Sequence, residues 1–270
     1  MTRKLFRTLA VIFLLLFWMI RLFQSQPTLE TEEPAPTGAM CNETESTDTV
    51  TLLRTHQRLW LEHGAQLNYC TQYQISYDSM QRAAGYRTRS RVRDWRNEED
   101  FWSEVYKMLY YLDRGGLRAV LDSLRTAGAH LDRDAFARMV VAFVQDIPYN
   151  YVVPKSCEGF EGHPCVPNER YGILSPIEFL YRLQGDCDTR TVLLFTLLTN
   201  MGYQPVIVNS REYAHSRLAL DIPASGDYFV HKGRRYVFWE TTNVGWEPGM
   251  LPPSMNNKYY WNVVLDTEQL

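Results

Sequence analysis

At 270 residues, with 45% hydrophobic and 22% charged side chains, the chain has a globular composition and enough length to bury a sizeable core in one or two domains. A net charge of −3 offers no general attraction to polyanions, which argues against a nucleic-acid partner. Five cysteines leave one thiol over once two disulfides are made.

The chain opens on a membrane signal. Arg3, Lys4 and Arg7 precede an unbroken apolar run from Leu9 to Ile20, and Arg21 follows. Counted from Leu5 to Phe23 the stretch has 19 residues, within the roughly 17–25 that a span needs. Arg7 and Arg21 can snorkel. The basic flank stays in the cytoplasm, so the rest of the chain is expected outside, in a periplasm or the extracellular space. No A-x-A site follows, and residues 1–25 read as an uncleaved signal-anchor. Residues 26–49 are rich in Pro, Thr and Glu and read as a disordered linker, with a glycosylation sequon at Asn42-Glu43-Thr44.

Residues 50–63 read as a helix, with leucines interleaved with charge. Residues 69–77 alternate, which predicts a strand with Tyr69, Thr71, Tyr73, Ile75 and Tyr77 on one face and Cys70 on the other. Arg82, Arg87, Arg89, Arg91, Arg93 and Arg96 read as a solvated surface or a contact for anionic lipid or peptidoglycan, in preference to nucleic acid. Helices are predicted over about 97–113, 117–127 and 132–146, the last capped by Asp132 and stopped by Pro148. Residues 50–130 are thus expected to be mainly helical.

A long loop, 149–175, contains Cys157 and Cys165, a natural small disulfide. Cys41 and Cys70 can pair likewise. A zinc site from Cys157, His163 and Cys165 is the rival, but the spacing is poor. A short helix over 176–183 leads to an apolar one over 187–201, expected to be central and buried. Strands follow at 205–209, 215–222, 228–230 and 236–239, the last two flanking the hairpin signal Lys232-Gly233, and at 259–265. A cysteine-bearing helix followed by an antiparallel sheet is an α+β layout.

The chemistry centres on Gly185-Asp186-Cys187. Gly-Asp breaks the backbone, Asp186 can cap the helix, and Cys187 falls in the first turn, where free N–H groups and the helix dipole favour a thiolate. His215 opens one predicted strand and Glu240 ends another, so adjacent antiparallel strands can set them side by side. His215 would take the thiol proton, Glu240 would orient the imidazole, and the Cys187 N–H would serve as an oxyanion donor. Taken singly, each has a plainer reading: a buried small hydrophobe, a structural histidine, a turn-capping carboxylate. His231 competes, but a hairpin tip suits solvent better.

The run Gly185-Asp186-Cys187-Asp188-Thr189-Arg190-Thr191 before an apolar helix resembles the nucleophile motif of the transglutaminase-like superfamily, G-D-C-x-[DE]-x-[AST]. Phe143 to Tyr149 resembles the segment ahead of that site, and Pro176-Ile177-Glu178-Phe179-Leu180 its P-x-E-x-L lead-in. Tyr213-Ala214-His215 stands for the histidine strand. The hairpin through Gly233-Arg234-Arg235-Tyr236 to Glu240-Thr241-Thr242 stands for G-x-x-[WY]…D-x-T. The resemblance covers about residues 135–250, and the domain it marks is placed at 131–270. It implies a papain-like α+β core and a Cys187–His215–Glu240 triad working through a thioester, with no cofactor or metal. It points to a bacterial, membrane-anchored member acting on a protein or peptide substrate, as peptidase, amidase or crosslinking enzyme. An upstream aromatic, Tyr149 or Tyr151, would help hold the oxyanion. The chain departs from the pattern in having Glu for the usual Asp, and Asp188-Thr189 where the acid commonly comes second. A catalytically inactive binding or envelope-scaffold module is the alternative.

Overall fold

The computed structural model describes residues 41, 43–50 and 52–270. The expected signal-anchor, most of the expected linker and the sequon's Asn42 lie outside them. Among the described residues no helix is long and apolar enough to cross a membrane. Residues Cys41–Leu270 form one compact unit, and the architecture is mixed α+β with antiparallel sheets.

The first layer corrects the sequence reading. Strands β1 (Thr44–Asp48), β2 (Leu53–Glu62) and β3 (Leu67–Ser76) form an antiparallel sheet in that order. The helix expected over 50–63 is therefore strand β2, and β1 starts inside the expected linker. The reason lies in which face is buried. On β2 the inward positions are His56, Arg58, Trp60 and Glu62, while Leu59 points outward. A polar inner face hides the two-residue period that an apolar one would have displayed. Each inward group has a partner. His56 Nε2 lies 3.1 Å from the Tyr181 carbonyl, and Trp60 donates to the Met139 carbonyl at 3.1 Å. Strand β3 buries Tyr69, Thr71, Tyr73 and Ile75 on one face, and Cys70 on the other is bonded to Cys41.

Helix α1 (Tyr77–Arg89) follows, capped by Ser76. It takes in part of the arginine stretch. Arg87 is fully buried, with Nε and Nη2 each 2.8 Å from a Glu178 oxygen and a further bond to Glu169. A bidentate pair of this kind satisfies a guanidinium away from water, so this arginine belongs to the interior and not to a solvated or lipid-facing surface. Helices α2 (Glu98–Asp113), α3 (Arg118–Ala127) and α4 (Arg133–Gln145) follow the predicted bounds closely. Asp132 caps α4 through the Asp134 and Ala135 N–H groups, at 3.0 and 2.9 Å.

The loop after α4 carries a short parallel pair, β4 (Tyr151–Val152) with β5 (Cys165–Val166), and the Cys157–Cys165 disulfide. That bond engages two of the three side chains of the rival zinc reading. Ser175 and Glu178 then form a capping box, with Pro176 in the first turn of α5 (Pro176–Arg182). Helix α6 (Cys187–Asn200) is buried from Cys187 through Leu198 apart from Asp188. An apolar helix with no outer face can only be central.

Helix α6 packs on a five-stranded antiparallel sheet in the order β10-β6-β7-β9-β8. Its strands are β6 (Pro205–Ser210), β7 (His215–Leu220), β8 (Tyr228–His231), β9 (Arg234–Trp239) and β10 (Asn262–Asp266). The sheet curls until its two edge strands meet, His231 of β8 lying 2.7 Å from Asp266 of β10.

Candidate active site

Three chain segments converge at the start of α6. The loop Leu183–Asp186 delivers Cys187. Gly185 is pinched there: a Cβ on it would come within 2.8 Å of Thr189 and 2.9 Å of Phe179. The Asp186 carboxylate accepts from the Thr189 N–H at 3.1 Å and sets the helix start. The second segment, Ile147–Tyr151, runs alongside, with Asn150 N donating to the Gly185 carbonyl at 3.1 Å. The third is the pair of strand ends His215 and Glu240.

Arg190 ties these segments together, and the sequence reading gave it no role. Its guanidinium is fully buried and bonds four carbonyls: Gly185 (3.3 Å), Val144 (2.9 Å), Thr241 (3.3 Å) and Ile147. Burial lowers its pKa to about 10, against the pull of nearby acidic groups.

His215 Nε2 lies 3.1 and 3.2 Å from the two Glu240 oxygens. That leaves Nδ1 as the nitrogen available to another group. The Glu240 carboxylate is well supplied with donors. Oε1 takes the Thr241 N–H (2.9 Å), the Thr242 N–H (3.0 Å) and the Thr242 hydroxyl (2.7 Å), and Oε2 takes Arg217 Nη2 at 2.8 Å. Burial alone would raise its pKa, but the histidine, the arginine and these hydrogen bonds bring it down to about 2. Glu240 is a carboxylate at any working pH.

Cys187 is the one free cysteine among the described residues, and it is buried. The backbone amide of Ser216, next to His215, faces the thiol closely enough to favour its charged form. Here the sequence expectation fails. Burial, together with Asp188 and Asp186 on either side, pushes the thiol well above its ordinary pKa. Burial is the larger cause, and the two flanking acidic side chains add to it. Asp186 itself is raised to about 8, by burial first and by Asp188 second. Asp188 is also raised by burial, against donors from Ser216 and Tyr106. The Tyr106 hydroxyl reaches Asp188 at 2.5 Å and lies 3.0 Å from the Ser216 hydroxyl, which also bonds Asp188. Helix α2, for which the sequence suggested no task, thus buttresses both the Cys187 helix and the His215 strand.

The two candidate aromatics pack edge to face, ring centres 5.3 Å apart, and meet different neighbours. The Tyr149 phenol lies beside the Cys187 backbone amide, and its pKa is raised by burial and by the neighbouring Cys187 and Asp186. Tyr151 instead packs on Phe160 and His163 of the disulfide loop, ring centres 4.7 and 5.8 Å apart.

Two clefts meet at Ala214 and His215. The larger, about 600 Å³, runs along Ile147–Tyr149, Tyr151, Tyr213, Thr242–Val244 and Met255. The smaller, about 270 Å³, is lined by Trp102, Glu98, Glu99, Asp188, Asn209 and Ser216 among others. Ala214, at the junction, holds a left-handed φ of 47°, the kind of local strain that a functional turn retains. Among the described residues, no group of three or more His, Cys, Asp and Glu side chains is arranged to hold a metal ion. In comparison with protein-family models and with curated proteins, the chain matches none.

Proposed function

We propose that the protein is a transglutaminase-like cysteine hydrolase or acyltransferase, anchored by its N-terminal segment and working outside the cytoplasm on peptide or side-chain amides. One observation carries the reading. A histidine held on Nε2 by a buried carboxylate adjoins Ser216, whose backbone amide faces the lone free thiol at a helix start. The two disulfides support the exported location.

Chemistry follows from the atoms available. As the Cys187 sulfur attacks the amide carbon, its proton passes to Nδ1 of His215, and Glu240 stabilises the imidazolium that forms. The carbonyl oxygen becomes an oxyanion held by the Cys187 N–H, with the Tyr149 hydroxyl as second donor. The tetrahedral adduct collapses, the C–N bond breaks, and the amine leaves with the histidine proton. The resulting thioester is attacked by water, or by a second amine, with His215 again taking the proton; the C–S bond then breaks, the acid or new amide leaves, and the His215 proton returns to the Cys187 sulfur. A thiol with a raised pKa makes proton transfer part of the attack instead of a preceding step. Two clefts meeting at His215 suit a reaction with an acyl side and an amine side.

A buried, protonated thiol also favours a second reading, an inactive binding module. Alkylation with iodoacetamide separates them. The enzyme reading expects Cys187 to be alkylated at neutral pH with the help of His215, at a rate that falls at least about tenfold in His215→Ala. Inert Cys187 in both proteins would sink it.

A further inference from the structure

Glu240 stands where the resembling family has a side chain one methylene shorter, and an extra torsion has to be immobilised if the carboxylate is to orient a ring. Register identifies what does this. Leu218 of β7 opposes Trp239 of β9. One step further along both strands sets Arg217 opposite Glu240, and His215, two residues away, falls on the same face of β7. Arg217 is fully buried, and its Nη2 shares Oε2 of Glu240 with His215 Nε2, at 2.8 and 3.1 Å. Its guanidinium carbon lies 4.4 Å over the Trp261 ring, and Nη2 is 3.2 Å from the Met255 sulfur.

The two buried arginines of this region differ in kind. Arg190 uses Nε, Nη1 and Nη2 on backbone carbonyls and works as a clasp. Arg217 leaves Nε and Nη1 without a hydrogen-bond partner. Idle donors in the interior are costly, and a purely structural side chain at this place would not need to be an arginine. The charge facing Glu240 is what distinguishes it. The other charged and titratable groups around the pair are Cys187, Asp188 and Arg190 of α6, and Tyr213 of the turn before β7.

We propose that Arg217 is a positioning residue of the site: it pins Glu240 against Nε2 of His215 and takes up part of the carboxylate's charge. The ring is then held in orientation yet free to receive the thiol proton. The catalytic meaning rests on the function proposed above; the control of His215 does not. The test follows the His215 ring signals by NMR against pH in the wild type, Arg217→Met and Arg217→Lys, beside the pH dependence of Cys187 alkylation. With the guanidinium gone, Glu240 acts on His215 alone. The midpoint of His215 in Arg217→Met should rise by about one pH unit, a tenfold gain in proton affinity. Arg217→Lys should return most of the shift, because it restores charge without the planar fork. A midpoint in folded Arg217→Met equal to wild type overturns the proposal. If the Met variant does not fold, Arg217→Gln takes its place on the same criterion, and equal midpoints for Lys and Gln overturn it too. Alkylation that ignores His215→Ala would refute the acyl-transfer reading, while the titration still decides the role of Arg217.

Discussion

The curled sheet carries two histidine–carboxylate pairs, and they sit in different surroundings. His215 with Glu240 and His231 with Asp266 have similar separations, 3.1 and 2.7 Å, and each acid also binds a cation, Arg217 or Lys232. The surroundings differ. The first pair is nearly sealed, at 10% and 3% side-chain exposure, whereas Lys232 of the second is 44% exposed. The first adjoins a free thiol and two clefts. The second closes the edge of the sheet. A histidine–acid contact is therefore not a site by itself; what sets the first pair apart is a free cysteine nearby and the clefts that open at its histidine.

The comparison breaks most directly at the nucleophile. Cys187→Ala and His215→Ala should each remove at least about 10³-fold of any amide hydrolysis or transfer, measured on a peptide-amide library, while His231→Ala stays within about twofold. Equal losses at the two histidines would erase the distinction. Glu240→Gln should cost about 10³-fold, because an amide does not stabilise an imidazolium. It should also change acid stability. A carboxylate held at about 2 favours the fold above the ordinary glutamate value, and that contribution is lost as pH falls towards 2. Acid titration of ellipticity should show a shallower loss in Glu240→Gln than in the wild type.

Asp186 runs the other way. Its pKa is raised to about 8 from 3.8, so the folded protein keeps a proton that the unfolded chain releases. Its contribution is complete below about pH 4 and is lost as pH rises towards 8. Asparagine caps a helix as well as aspartate. The melting temperature of Asp186→Asn should therefore gain on the wild type across that window, by on the order of a few degrees. The smallest effect belongs to the second pair: His231→Ala should cost under about 1 kcal/mol in chemical denaturation, as partly exposed ion pairs do.

Much of the C-terminal half was legible because its signals are local. Asp186, Ser175 and Asp132 announce helix starts, Lys232-Gly233 announces a hairpin, and a helix apolar all round announces the centre of the fold. Strand β2 was not legible, because its buried face carries His56, Arg58 and Glu62, whose partners come from distant parts of the chain. Arg87 misled for the same reason: a charge run looks solvated until Glu178 and Glu169 are folded against it. Within the site, sequence order brought out Cys187, His215 and Glu240. Arg190, Arg217 and Tyr106 act through long-range contacts that no spacing encodes. The thiol's raised pKa depends on how completely water is excluded, which a motif does not state.

The Arg190 clasp has a consequence for motion. One side chain holds carbonyls at Val144 and Ile147, at Gly185, and at Thr241. None of these segments can swing away without stranding a buried guanidinium, so they should open together or not at all. In hydrogen exchange, the amides of Asn150, Cys187 and Thr242 should then report one shared opening free energy. Arg190→Met should split it into separate, faster events. The site would behave as a single cooperative unit with its own breathing mode.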